Sequence, residues 1–254
     1  MKDAGYRIQD AGGEVGDSRL QTPDSTLMIK VERLVHIYDG GNSPALKTIS
    51  LEIEEGEYVA IIGPTGCGKT TLIKHLNALL FPTEGNVWVD GMNTRDASLA
   101  GEIRQRVGMV FQNPDNQIIG MTVEDDVAFG PENLRLPPRE IRQRVTEALD
   151  AVGMGKYAQR HPHTLSGGEK RLVTIADVLA MNPSYIALDE PTSSLDPAGR
   201  KRVLTLLRGL NDQGIAMIHV THNIDEIVGA DRIMVMEDGK IVLSGTPEEV
   251  FSRI

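Results

Sequence analysis

Apolar positions along the 254 residues follow two rhythms. Near-alternation marks MIKVERLVHIY (28–38) as a strand. LKTISLEIEEGEYVAIIG (46–63) reads as two strands around a Glu55-Gly56 turn, and NVWVDGMN holds the Asp90-Gly91 pair of a hairpin. The front of the chain therefore predicts an antiparallel β-lobe. A helical rhythm then puts Leu72, Ile73, Leu76, Leu79 and Leu80 on one side of a helix from Lys69 to Leu80, which Pro82 stops. RVGMVFQ (106–112) is a short buried strand, and PREIRQRVTEALDAVG lines up Ile141, Val145, Ala148, Leu149 and Val152 on one face. From Tyr185 onward YIALDE, PAGRKRVLTLLRGLND, GIAMIHVTH, NIDEIVGA and RIMVME alternate strand with helix, which predicts parallel strands joined by crossover helices. An Asp238-Gly239 hairpin follows, then a helix in which Thr246 caps, Pro247 takes the first turn and Glu249 completes a capping box.

Residues 1–27 break both rhythms. They hold four glycines and eight charges without an apolar core pattern or the apolar stretch of a signal peptide. They are expected to form a disordered leader, with the folded domain at 28–254. No apolar run approaches the ~20 residues of a membrane span. A net charge of −10, from 36 acids against 26 bases, argues against a nucleic-acid partner. Cys67 is the single cysteine, so no internal disulfide forms and a reducing compartment fits.

The chemistry concentrates at the junctions. GPTGCGKT, Gly63 to Thr70, fits G-x-x-x-x-G-K-[ST] between a predicted strand and a predicted helix. Glycines let backbone N–H groups close round a phosphate, and the helix start adds positive potential. Lys69 reaches the β- and γ-phosphates, and Thr70 offers a hydroxyl to Mg²⁺. YIALDE is an apolar strand ending in Asp189, suited to a Mg²⁺ shell, and Glu190, suited to polarising water. HVTHN ends the same way at His222, and Gln112 closes RVGMVFQ. LSGGEKR, Leu165 to Arg171, opens another helix on glycines, a second anion site in a chain that already has one.

Together these residues resemble an ATP-binding cassette ATPase over nearly all of 28–254. The resemblance implies an α/β fold: a P-loop NTPase core with a parallel sheet, an antiparallel β-lobe and a small α-helical lobe between about Thr122 and Thr164. It implies that Tyr38 stacks on adenine and that Gly63, Pro64, Thr65, Gly66, Cys67, Gly68, Lys69 and Thr70, followed by Thr71, hold ATP as the Walker A loop. Thr70, Gln112 and Asp189 would serve Mg²⁺; Glu190, His222, Gln112 and Lys69 would carry catalysis. Ser193–Asp196 matches the D-loop. Ser166, Gly167 and Gly168 match the signature, which in such ATPases caps the ATP held by a second cassette paired head to tail. Glu169 stands where the signature often has Gln; an acid there suits the helix dipole but not a phosphate, so it stays outside the ligand set.

FQNPDNQI (111–118), VEDDVAFGPENL (123–134) and LSGGEKRLVTIADVLAMNP look like the ATPases of energy-coupling factor transporters, importers of vitamins or of cobalt and nickel ions. That likeness implies a partner cassette, identical or paralogous, a transmembrane scaffold protein, a membrane-embedded substrate-binding subunit, and a peripheral place on the cytoplasmic face of the cell membrane. The alternatives are another ABC transporter or a non-transport cassette ATPase. Against the latter, the stretch between Thr70 and Leu165 has no room for the long coiled coil of the repair ATPases. His161 and His163 flank a proline without a third ligand nearby, and His219 lies inside a strand; all three read as structural.

Overall fold

A computed structural model describes residues 27–253. The expected leader therefore lies, except for Leu27, outside the described residues. The elements run β1 (Met28–His36), β2 (Leu46–Glu54), β3 (Tyr58–Ile62), α1 (Lys69–Leu76), β4 (Glu84–Val89) and β5 (Met92–Asn93). Next come α2 (Ala100–Arg106), β6 (Val107–Val110), α3 (Val123–Asn133), α4 (Pro138–Ala151) and α5 (Gly167–Leu179). The chain continues through β7 (Tyr185–Asp189), α6 (Pro197–Asn211), β8 (Ala216–Val220), β9 (Arg232–Glu237), β10 (Lys240–Gly245) and α7 (Pro247–Phe251).

The strands make two sheets, an antiparallel one ordered β2-β1-β4-β5 and one ordered β10-β9-β3-β8-β7-β6. In the second sheet β9, β3, β8, β7 and β6 pair in parallel, and β10 closes an antiparallel hairpin on β9. The Glu55-Gly56 turn is therefore not a hairpin: β2 and β3 go to different sheets. Burial explains the sorting. β2 alternates buried and open positions along most of its length, whereas β3, β7 and β8 are buried throughout, as parallel strands covered on both faces must be.

Because side chains alternate across a sheet, each parallel strand feeds two cores. Val59, Ile61, Tyr185 and Ala187 join α1 and the antiparallel sheet in one core. Tyr58, Ala60, Ile62, Ile186 and Leu188 join α3, α4 and α5 in the other. Leu72, Ile73 and Leu76 of α1 are fully buried, each worth about 1.5–3 kcal/mol relative to exposure. On α4 the expected face turns inward, with Val145, Ala148 and Leu149 buried, Val152 just beyond its end, and Ile141 at the margin.

Two helices differ from expectation. α1 stops at Leu76 rather than Leu80, because Ala78 takes a left-handed φ of 54° and the Leu79 and Leu80 N–H groups bond back to the Lys74 carbonyl. NIDEIVGA forms only one 3-10 turn, Ile224–Glu226, capped by Asn223. There Glu226 is turned into the protein and buried. Among the described residues no helix is long and apolar enough to cross a membrane.

Candidate nucleotide site

β3 delivers its carboxyl end to a loop that only glycine can build at two points. Gly63 has φ 149°, and a Cβ there would sit 2.1 Å from the Met236 carbonyl oxygen. Gly68 has φ 105°, with a Cβ position 2.8 Å from the Ala45 carbonyl oxygen. Gly68 is also the cap of α1 and offers no side chain, so first-turn N–H groups stay available for an anion. Lys69 folds back, its Nζ donating to the Gly63 and Pro64 carbonyls at 2.8 and 2.9 Å.

The acids arrive from β7. Thr70 Oγ1 donates to Asp189 Oδ2 at 2.8 Å, which ties α1 to that strand. Burial pushes the Asp189 carboxyl above its ordinary value, partly offset by the Thr70 hydrogen bond. Glu190 follows with φ 47°, a left-handed conformation that an ordinary side chain seldom adopts. Its Oε2 accepts from Gln112 Nε2 at 2.9 Å, and its Oε1 lies 3.2 Å from His222 Nδ1. Gln112, Glu190 and His222 thus meet although they are distant in sequence.

These groups line a cavity of about 450 Å³ together with Tyr38, Ala45, Thr65, Gly66, Gly68, Lys69, Thr70, Thr71 and Asp189. Gly63, Pro64 and Cys67 are not on its wall. The first two lend carbonyls to Lys69, and the Cys67 side chain is buried in the core beneath. Tyr38 stands at the rim, half exposed, its hydroxyl 2.9 Å from Thr71 Oγ1 and its ring edge-on to His36.

Ser166, Gly167 and Gly168 are elsewhere. Gly167 borders a separate cavity of about 420 Å³ with the loop at Gln112–Asp115 and with Ser193, Ser194 and Leu195. Ser166 caps α5 in a capping box that the sequence reading did not name, although S-x-x-E is its signal. The Ser166 N–H and hydroxyl both donate to Glu169 Oε2, at 2.8 and 2.9 Å. Those bonds, first from the backbone and then from the side chain, hold the Glu169 carboxyl below its ordinary value. In front of Gly167 and Gly168 the space is open, with nothing within 4 Å of an added Cβ. Arg171, also missed, is buried and donates to the Phe111 and Gln112 carbonyls, which fastens the start of α5 to the Gln112 loop.

Residues 46–193 match the family described as ABC transporter. The chain belongs to that family. It is the family's ATP-binding cassette, an ATPase. The cassette is 57% identical over 226 residues to the cobalt import ATP-binding protein CbiO of Syntrophus aciditrophicus, covering 89% of this chain and 81% of that one. It is 53% identical over 231 residues to the energy-coupling factor transporter ATP-binding protein EcfA1 of Caldanaerobacter subterraneus, covering 89% and 83%. Among solved structures it superposes on cbiO1 of Clostridium perfringens, described as part of the ABC transporter complex cbiONQ. The TM-score is 0.82 at 39% identity, covering 91% of this chain and 92% of that one. A dimeric ATP-binding cassette in a post-hydrolysis state bound to ADP and Pi gives TM-score 0.78 at 33% identity, covering 86% and 98%.

Three further histidines lie away from the nucleotide cavity. His161 Nδ1 lies 2.8 Å from the Met121 carbonyl oxygen and its ring stacks on His163. No group of three or more metal-binding His, Cys, Asp or Glu side chains occurs among the described residues. His219 is fully buried, with Tyr58 Oη 2.9 Å from its Nδ1.

Proposed function

We propose that the cassette is the ATP-hydrolysing subunit of an importer of the energy-coupling factor type, taking up a vitamin or cobalt or nickel ions. It works head to tail with a second cassette, a copy or a paralogue, at the cytoplasmic face of the cell membrane. The observation that carries the pairing is the separation of the two glycine-rich helix starts. The cavity at Lys69 holds every expected catalytic side chain but none of Ser166, Gly167 and Gly168. A second cassette supplies that missing wall. The importer type rests on the named relatives and on an apolar edge near the helical lobe, where Ile119 and Met121 are 63% and 75% exposed. A transmembrane scaffold docking there would link the cassette to a membrane-embedded substrate-binding subunit.

The reaction is in-line attack of water on the γ-phosphate of ATP. Tyr38 stacks on adenine, and the backbone from Gly63 to Thr71 cradles the phosphates. Lys69 exchanges its loop carbonyls for phosphate oxygens. Glu190 orients the water and takes its proton, while His222 holds the γ-phosphate. Ser166, Gly167 and Gly168 of the second cassette close over that γ-phosphate, and charge developing there meets backbone N–H groups. The hydroxyl of Thr70 and the carboxylate of Asp189, 2.8 Å apart beside Gln112, form the hard-oxygen set that suits Mg²⁺. Thr70, Asp189 and Gln112 would hold that ion, and it would supply charge neutralisation to the phosphates.

Affinity purification of the tagged chain from detergent-solubilised native membranes, read by mass spectrometry, tests the importer. A polytopic scaffold with a small hydrophobic subunit is expected. Soluble partners alone, with ATP hydrolysis intact, would contradict it.

A further inference from the structure

Glu226 is a buried carboxylate that neither phosphate chemistry nor fold accounts for. It lies in the single turn after His222, and several donors converge on it. Thr192 Oγ1 donates to its Oε1 at 2.5 Å and Thr221 Oγ1 to its Oε2 at 2.8 Å. Asn223 Nδ2 reaches Oε1 at 3.3 Å, and Arg200 Nε of α6 lies 3.6 Å from the same atom. His219 Nε2 is 3.5 Å from Oε2. On the other side of the ring, Tyr58 Oη lies 2.9 Å from His219 Nδ1. Burial alone would raise the Glu226 carboxyl, yet the nearby His219 ring and the hydrogen bonds from Thr192 and Thr221 outweigh it and bring it down to about 2. The group is therefore a full negative charge held in the interior by its donors.

The placement of the donors is what matters. Thr192 is two residues after Glu190, and Thr221 is the residue before His222. Glu190 sits in a left-handed conformation, which persists only where its surroundings over-determine it. Its N–H is fixed by the Val220 carbonyl, and its carbonyl accepts from the Ser193 N–H. One carboxylate thus grips the chain just beyond Glu190 and just before His222, and reaches the helix that follows Ser193–Asp196.

We propose that Glu226 is a positioning residue for ATP hydrolysis, clamping the Glu190 and His222 segments at the separation their side chains need to meet one γ-phosphate. This rests on the roles given above to Glu190 and His222. The clamp touches no wall of the nucleotide cavity, so it acts on turnover rather than on nucleotide binding.

Steady-state hydrolysis and fluorescent-ATP binding by the full chain, with Glu226→Gln, test it. The expected result is a kcat about 10–100-fold lower with nucleotide affinity within about threefold of the parent, the size of effect seen when a supporting shell is cut. Thr192→Val removes one donor at constant volume. It should lower kcat about fivefold with the same unchanged affinity, and it carries the test if Glu226→Gln does not fold. Combined with Glu226→Gln it should lower kcat no further, since both changes open one clamp. Unchanged kcat in a folded Glu226→Gln or Thr192→Val chain, whatever its Tm, overturns the proposal. So does a loss of affinity matching the loss of kcat. Full hydrolysis by Glu190→Gln would instead overturn the role given to Glu190, a separate failure visible in the same assay.

Discussion

Two helices begin on glycine, and they begin differently. At α1 the cap is Gly68 in a left-handed conformation with no side chain to offer, and Lys69, Asp189, Glu190 and His222 crowd the same cavity. At α5 the cap is Ser166, locked in a capping box with Glu169, and the space before Gly167 and Gly168 is empty of protein atoms. One helix start shares its cavity with the side chains expected to meet a triphosphate, short of the wall proposed to come from a second cassette. The other has the backbone N–H groups of an anion site and an acid for a neighbour. On the proposed pairing, a phosphate at α5 would arrive with its charge already neutralised, carried on the Lys69 loop of another cassette.

The largest effect belongs to the Lys69 site. Glu190→Gln should lower hydrolysis about 1,000-fold while ATP still binds, since it removes the group that takes the proton. Sedimentation should then show a dimer that forms only with ATP. At the other helix start, Ser166→Arg fills the open space before α5. Hydrolysis should fall about 100-fold, the scale of lost oxyanion-type donors. The ATP-dependent dimer of Glu190→Gln should vanish when Ser166→Arg is added, with ATP affinity of the monomer unchanged. A dimer that survives would erase the distinction between the two helix starts. Tyr38→Ala should act more gently, raising the KM for ATP about fivefold with little change in kcat, as a lost stacking contact does.

The smallest effect concerns the far end of α5, which is as buried as its start is open. Asp177 there is pushed well above the ordinary carboxylate range, first by burial, then by the charge of Asp126 and a hydrogen bond to it. Asp126 accepts from the Ile119 and Gly120 N–H groups at 2.8 and 2.7 Å. A carboxyl whose folded pKa is raised binds more protons folded than unfolded. Its contribution to stability therefore falls as pH rises from the ordinary value through the raised one. Asn at this position donates to Asp126 without titrating. Thermal unfolding of Asp177→Asn should give a Tm advantage over the parent that widens from about pH 5 to about pH 8. A constant gap would show that Asp177 does not titrate across that range.

What the sequence made legible was local. GPTGCGKT announces its loop because glycine spacing, Lys69 and Thr70 lie within one turn of each other, and TPEE announces a capping box for the same reason. The uniform burial of YIALD follows from a run of apolar residues. The shorter α1 was hidden because Leu79 and Leu80 keep the helical spacing while Ala78 leaves the helical conformation. Glu226 and Arg171 were hidden for another reason. Their partners, Thr192 for the one and the Phe111 and Gln112 carbonyls for the other, are brought close only by the packing of separate strands and helices. A charged residue in a helical-looking stretch such as NIDEIVGA carries no mark that it turns inward.

The most direct test mixes two defective chains. Lys69→Ala disables the Walker A loop and Ser166→Arg disables the signature, and each should be inactive alone. In a mixed dimer, one composite site pairs the intact Lys69 of one chain with the intact Ser166 of the other. Equal mixing should therefore restore hydrolysis that neither chain shows alone, up to a ceiling of roughly a quarter of the parent rate, reached when half of all pairs are mixed and one of two sites works. A mixture as inactive as its components would contradict the claim that the second glycine-rich helix start serves a phosphate held by another cassette.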